Sequence, residues 1–367
     1  MRIFMSAGEP SGDAHAVPVI QALRSAIPGV AIEGIGGPRM TAAGLTTIEP
    51  MQSLSVVGLV EAIRSVPTHV RALAAIERLF RRQKYDVAIL IDYPGFHLKL
   101  AAAARRAGVP VLYYIAPQLW AWGAWRVTAL RKNVRSLAVV LPFEEQFFRR
   151  RGIAAEFVGH PLLDRPPART RESLRNELHI EGEAPVLGLF PGSRPQEVAR
   201  LWPAFRDAAV RLRAEQPGLV CLVAGVAGLA YPGDASFRIW EDRGRDVMTA
   251  ADWAICKSGT TTLEAVLAGT PTVVAYRMHG ITYALARRFV RLPHVSLVNL
   301  LAERPVVTEL LQSDVTAGKL VDALRPLLDP FSPAARDQRR AFREIRQSLG
   351  TPGAGRRVAE MAQRIAA

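Results

Sequence analysis

The run Cys256–Glu264, Cys-Lys-Ser-Gly-Thr-Thr-Thr-Leu-Glu, holds the residue types of an anion site. An apolar piece, Trp253–Ile255, precedes it, and Ala265-Val-Leu-Ala-Gly269 follows. The pattern reads as strand, small-residue turn, and a helix closed by glycine. Ser258, Gly259 and Thr260 expose backbone N–H groups where the helix begins. A helix N-terminus offers unpaired donors and the positive end of a dipole to an anion. Glu264, about one turn into the helix, reaches back toward neutral polar groups such as ribose hydroxyls. The competing reading is an ordinary capped helix start, because Ser and Thr are common caps.

Three other places carry candidate chemistry. Asp92, in Asp92-Tyr-Pro-Gly-Phe-His97, follows the apolar run Asp86–Ile91. Ligands of doubly wound sheets lie at the carboxyl ends of strands, so Asp92 is a candidate general base. Its alternative is a cap for the helix Leu98–Ala107. The turn Ala7-Gly-Glu-Pro-Ser-Gly-Asp13 follows the strand Arg2–Ser6 and offers Glu9 and Asp13. It is neither a Gly-x-Gly-x-x-Gly fingerprint nor a Walker loop. Its serine stands one place late for a nucleophile elbow, which argues against a serine hydrolase. Pro191-Gly-Ser-Arg194 sets Ser193 and Arg194 at a turn before the helix Val198–Glu215.

The elements that must position these residues repeat. Strand and helix patterns alternate from Arg2 to Leu141 and again from Val186 to Tyr276, which predicts two α/β domains with parallel sheets. A chain of 367 residues fits two domains better than one core. Arg165-Pro-Pro-Ala-Arg-Thr170 is the best linker. The expected boundaries are 1–166, 167–332 and a helical tail 333–367, interrupted at Gly350-Thr-Pro-Gly353.

Composition narrows the class. The formal charge of +14 and pI near 10.6 imply anionic company: nucleic acid, anionic lipid or phosphorylated substrates. Basic stretches lack interleaved aromatics, which argues against nucleic acid. Leu54–Phe80 has apolar residues interleaved with Arg64, Arg71, Arg78, Arg81 and Arg82. It reads either as a membrane-surface helix or as a core-facing helix with a basic solvent face. No apolar run reaches the length of a membrane span. The opening residues lack a signal-peptide core, so a cytoplasmic protein is expected. Two cysteines, Cys221 and Cys256, support neither a disulfide framework nor a zinc site. Trp120, Trp122 and Trp125 offer a sugar platform, an apolar wall or plain packing.

Two α/β domains, a diphosphate-type loop in the second and no Asp-x-Asp clamp describe the GT-B glycosyltransferase architecture, in which two Rossmann-like domains face each other across a cleft. The resemblance becomes specific when the pieces are read in order. They are Ser6–Asp13; Gly34-Ile-Gly-Gly-Pro-Arg-Met40 with Gly44; Leu54-Ser-Val-Val-Gly58 with Glu61; Pro117-Gln-Leu-Trp-Ala-Trp122; Leu141-Pro-Phe-Glu144; Val158-Gly-His-Pro-Leu162 with Asp164; Pro191–Arg194 with Glu197; Ser258–Glu264; and Asn299. Together they resemble the lipid-A-disaccharide synthase family.

That resemblance implies an inverting transfer. UDP-2,3-diacylglucosamine donates its sugar to the 6-hydroxyl of 2,3-diacylglucosamine 1-phosphate, giving a β-1,6 disaccharide and UDP. It implies no metal or organic cofactor. It places the enzyme peripherally at the inner face of the cytoplasmic membrane, with anionic lipid rather than nucleic acid as its charged partner. It implies a C-terminal segment that returns to the first domain and can be exchanged between protomers, giving a homodimer. Asp92 matches the family's essential aspartate, with Glu9 and Asp13 as rivals. Gly8, Ser11 and Gly12 would form an acceptor or phosphate loop. Ser193, Arg194, Ser258, Gly259, Thr260 and Thr261 would meet the UDP phosphates, Glu264 the ribose, and Asn299 the donor. The family's Asp-x-Pro-Asp-Phe-Asn reads Asp92-Tyr-Pro-Gly-Phe-His97 here, its Leu-Pro-Asn reads Leu297-Val-Asn299, and its Pro-Glu reads Thr308-Glu309. The rival readings are another UDP-sugar enzyme of the same architecture (a muramyl-pathway transferase or a UDP-GlcNAc 2-epimerase) and a non-catalytic nucleotide-sugar or lipid binder.

Overall fold

The computed structural model describes residues 1–51, 66–121, 123, 126–165, 169–180, 182, 184–233, 236–280, 283 and 292–367. The stretch Leu54–Gly58, Glu61, Arg64, Trp122, Trp125 and residues 166–168 of the proline linker lie outside the described residues. The chain divides into two units. One is Met1–Arg165 with Leu349–Ala367, and the other is Pro166–Ser348. The tail 333–367 is therefore shared: the helix Pro333–Ser348 belongs to the second unit and Ala354–Ala366 to the first.

The first unit is built on seven parallel strands: β1 (Arg2–Ala7), β2 (Ala31–Gly36), β3 (Thr46–Pro50), β4 (Val87–Ile91), β5 (Val111–Tyr114), β6 (Ser136–Val139) and β7 (Ala155–Phe157). Their order is β3-β2-β1-β4-β5-β6-β7. The chain runs from β1 outward to β3, then returns to β4 beside β1 and runs the other way. The strand order thus reverses between β1 and β4, which is where doubly wound sheets hold ligands. β4, Val-Ala-Ile-Leu-Ile, is buried along its whole length, as its continuous apolar run requires when helices cover both faces.

The second unit repeats the plan with β8 (Val186–Phe190), β9 (Val220–Gly225), β10 (Phe237–Glu241), β11 (Trp253–Lys257), β12 (Thr272–Tyr276) and β13 (Glu309–Leu311). The order β10-β9-β8-β11-β12-β13 reverses between β8 and β11. Both sheets are parallel throughout.

The helix Val66–Arg82 resolves part of the Leu54–Phe80 alternative. Its Ile76 and Phe80 are buried in the first unit's core. The Phe80 ring meets Phe4 edge-on at 4.9 Å and Tyr85 at 5.6 Å. The apolar stripe therefore faces the sheet, and Arg71, Arg78, Arg81 and Arg82 face solvent. Glu77 on this helix pairs with Arg81 and, through two bonds, with Arg106 of the helix Pro94–Arg106. Among the described residues no helix is long and apolar enough to cross a membrane.

The segment Leu349–Ala367 is held by the stretch Val158–Asp164. His160 N–H donates to the Leu349 carbonyl at 2.9 Å. Asp164 accepts the N–H groups of Gly353, Ala354 and Gly355 at 2.5, 3.2 and 2.9 Å, capping the helix Ala354–Ala366 from far along the chain. Gly355 is a close approach: a Cβ there would stand 2.5 Å from Pro18 of the helix Pro10–Ala26.

Candidate active site

In the first unit the loops after β1 and β4 meet. Asp92 and Tyr93 both have φ of +52°, and Tyr93 has ψ of 55°. Two successive non-glycine residues in the left-handed region cost on the order of 1–3 kcal/mol each. The surroundings hold them there. The Asp92 N–H donates to the Tyr114 carbonyl at 2.9 Å. The Asp92 carbonyl accepts from the Tyr113 hydroxyl at 2.6 Å and from His97 Nδ1 at 2.7 Å. The Tyr93 ring lies against Gly8, where a Cβ would come within 2.2 Å of it, so only glycine fits. The Tyr93 hydroxyl bonds His69 Nε2 at 3.0 Å, and both burial and the nearby charge of Glu9 raise its pKa. Asp92 and Glu9 are half-buried, while Ser11 is exposed at the start of the helix Pro10–Ala26 and Gly12 packs that helix onto Ala7.

Asp13 has a different task. It is buried, and its carboxylate accepts Gly37 N–H at 2.9 Å, Met40 N–H at 3.0 Å and Arg39 N–H at 3.2 Å. It caps the helix Pro38–Ala43, a negative charge at a positive dipole end.

In the second unit the loops after the neighbouring strands β8 and β11 leave the sheet side by side. Gly192, at φ +119°, lets the Glu197 carboxylate fold over the turn and accept the Ser193 N–H at 3.1 Å. A Cβ at Gly192 would meet Glu197 Oε2 at 2.6 Å. The other Glu197 oxygen takes the Lys257 ammonium at 3.0 Å. Lys257 thus sets a cation between the two loops, a role the sequence reading did not give it although it directly precedes Ser-Gly-Thr. Ser193 and Arg194 are exposed, and Arg194 stands immediately before the helix Pro195–Glu215.

Gly259, at φ +148°, turns the chain into the helix Thr260–Ala268. The Thr262 N–H turns back to the Gly259 carbonyl at 3.0 Å, and the N–H groups ahead of it stand before the first intrahelical acceptor. Thr260 is exposed and Thr261 half-buried at that end. Ser258 anchors the loop instead: its hydroxyl donates to the Val295 carbonyl at 3.1 Å and its N–H to the Ala275 carbonyl at 3.0 Å. Glu264 lies 3.5 Å from Arg245.

Asn299 is buried and fully engaged. Its Oδ1 accepts the Val306 and Val307 N–H groups at 2.8 and 2.9 Å, and its Nδ2 donates to the Val307 carbonyl and to Glu309 Oε1 at 2.9 and 2.8 Å. It ties the chain before β13 to the helix Leu297–Ala302. Glu144 is likewise buried. It accepts Trp120 Nε1–H at 2.9 Å and the N–H groups of Val140 and Leu141, and burial pushes its pKa up to about 7. Trp120 is therefore fixed by a carboxylate and by Phe143, whose ring it meets edge-on at 5.0 Å.

Comparison with known proteins is specific. The family model described as lipid-A-disaccharide synthetase matches residues 3–362. A lipid-A-disaccharide synthase of Anaeromyxobacter dehalogenans is 40% identical, covering 98% of this chain and 96% of the relative. One of Myxococcus xanthus is 38% identical over the same shares. Among solved structures, a glycotransferase of kitacinnamycin superposes with a TM-score of 0.68 at 13% identity, covering 100% of this chain and 99% of that one.

Proposed function

The chain belongs to the lipid-A-disaccharide synthetase family and is a glycosyltransferase of lipid A biosynthesis, and on that premise we propose how its two units divide the reaction. The donor is UDP-2,3-diacylglucosamine, held by the second unit. Its diphosphate sits at the loops after β8 and β11, the place where that sheet reverses. The observation that carries this is the Lys257–Glu197 ion pair, which ties the Ser193–Arg194 turn after β8 to the loop that leads into the glycine-led helix start Gly259–Thr261. Helix N–H groups and cations meet the charge that develops on departing UDP. Ser193, Thr260 and Thr261 contact the phosphates and Glu264 the ribose. Ser258 and Asn299 shape these loops, in keeping with their internal bonds.

The acceptor, 2,3-diacylglucosamine 1-phosphate, approaches the first unit. Asp92 takes the proton of the 6-hydroxyl as its oxygen attacks the anomeric carbon from the face opposite UDP, inverting it to the β-1,6 product. Glu9 is the remaining rival, because the Asp13 carboxylate is occupied by three backbone donors. Gly8, Ser11 and Gly12 border the same place.

Both substrates carry acyl chains, so the exposed Val70, Arg71, Arg78, Arg81 and Arg82 of the helix Val66–Arg82 contact an anionic membrane surface. The enzyme then works peripherally at the inner face of the cytoplasmic membrane. Exchange of Leu349–Ala367 between two copies would give a homodimer by re-forming the Asp164 contacts on the partner. The deciding experiment supplies purified protein with donor and acceptor in detergent and follows UDP and disaccharide. Product formation that stops in Asp92→Ala, with donor binding retained, supports this assignment. No product with acyl chains of several lengths sinks it.

A further inference from the structure

The helix Pro94–Arg106 carries a histidine that the chemistry above does not use. His97 is fully buried, and so is Ser6 on β1. Ser6 Oγ lies 2.8 Å from His97 Nε2, and His97 Nδ1 lies 2.7 Å from the Asp92 carbonyl oxygen. A carbonyl only accepts, so Nδ1 carries the proton. A ring kept neutral by burial then has a bare Nε2, to which the Ser6 hydroxyl donates. Burial holds the ring far toward its neutral form, with a pKa lowered to about 4. The direction of every proton in the chain Ser6–His97–Asp92 is thus fixed. Ser6 is interior to the sheet, so this is no nucleophile relay.

The place where the chain ends matters. The Asp92 N–H bond to Tyr114 fixes one backbone torsion of Asp92, and the bonds onto its carbonyl fix the other. With both torsions set in the left-handed region, the Cα–Cβ direction is set, and with it the reach of the carboxylate. We propose that His97 is the positioning residue of Asp92: its Nδ1–H, set in that tautomer by the Ser6 hydroxyl on Nε2, braces the strained turn after β4 and aims the Asp92 carboxylate. The proposal rests on Asp92 being the base.

Asparagine and glutamine separate this from mere filling of space. An asparagine amide places its N–H near the position of Nδ1, and a glutamine amide places its polar end near that of Nε2. His97→Asn therefore keeps the donor onto the Asp92 carbonyl and His97→Gln loses it. The variants are made in the full chain, together with Asp92→Ala, and assayed with UDP-2,3-diacylglucosamine and the 1-phosphate acceptor. The expected result is a kcat lowered about 10- to 100-fold in His97→Gln, as a misaimed catalytic group gives, with donor KM within about twofold. His97→Asn should retain most of the turnover. UDP binding and the thermal midpoint report on folding of each variant. Equal kcat in His97→Gln and the native protein, while Asp92→Ala is dead, overturns the positioning role and leaves the base standing. Equal losses in the Asn and Gln variants with equally lowered midpoints also overturn it, because the ring would then be structural only. Native turnover in Asp92→Ala overturns the base and the positioning role together.

Discussion

Asp164→Ala isolates the hold that the first unit has on the C-terminal helix. The native carboxylate accepts three N–H groups at the start of Ala354–Ala366. None of these donors has an intrahelical partner. Truncating a capping side chain costs about 1–2 kcal/mol, and loss of a negative charge at the positive dipole end adds up to about 1 kcal/mol. Water recovers part of this, because the bonds are only partly buried. About 2 kcal/mol is the net expectation, or roughly a 30-fold rise in the open population at 1.36 kcal/mol per decade. The loss should be local, since the helix opens without unfolding either sheet. Hydrogen exchange read by mass spectrometry is the assay. Amides of 353–366 should exchange about 30-fold faster in Asp164→Ala, while those of β8, β9 and β11 keep their native rates. Asp164→Asn retains one acceptor oxygen but turns an NH2 toward a backbone N–H, so it should fall between. Uniform acceleration over both sheets, or a tail rate within about twofold of native, would refute the reasoning.

Two further outcomes follow from buried titratable groups. His97 has a folded pKa of about 4 against an ordinary 6.5. Above pH 6.5 both states are neutral and stability is full. Between there and pH 4 only the unfolded chain takes the proton, so about 3 kcal/mol is lost. His97→Asn should lack this loss, and denaturant titrations of both proteins from pH 7 to pH 4 with parallel pH dependence would refute the burial argument. The Cys256 thiol is buried and pushed up to about 12, and Cys221 is buried too. An aromatic disulfide reagent should label neither cysteine in the native protein and both in denaturant, and fast native labelling of Cys256 would contradict its environment.

The strands that the sequence announces are the central ones. Val87–Ile91, Val186–Phe190 and Thr272–Tyr276 read as continuous or near-continuous apolar runs because helices cover both of their faces. The strands without a legible signal are β3, β7, β10 and β13, the four sheet edges. Thr46–Pro50 has no buried residue, and Ala155–Phe157 and Glu309–Leu311 are three residues long. An edge strand pairs on one side only and buries little, so neither period nor apolar run marks it. Their partners are set by the sheet, not by their own composition.

The same division runs through the site. Gly8, Gly192 and Gly259 stand in turns whose glycines are legible, because a close ring, a folded-over carboxylate and a positive φ each demand the absence of a side chain. Which polar neighbour of a glycine turn faces a ligand is not legible. Asp13 and Asp92 both follow a strand of the same sheet at its reversal point, yet the Asp13 carboxylate closes on the backbone of Gly37–Met40 while Asp92 sits in a left-handed turn whose carbonyl takes bonds from Tyr113 and His97. Asn299 and Ser258 look like donor contacts by type and place, but the partners described for them are carbonyls, amides and the Glu309 carboxylate of their own unit. A polar side chain with its bonds satisfied internally fixes shape, while on the assignment proposed above the strained turn braced by the buried Ser6–His97 pair holds Asp92 for use. By that criterion the His97 that stands where the family pattern has Asn is no loss of chemistry at the wall beside Asp92. It donates to the Asp92 carbonyl beside the Tyr113 hydroxyl and takes a bond from Ser6 on β1.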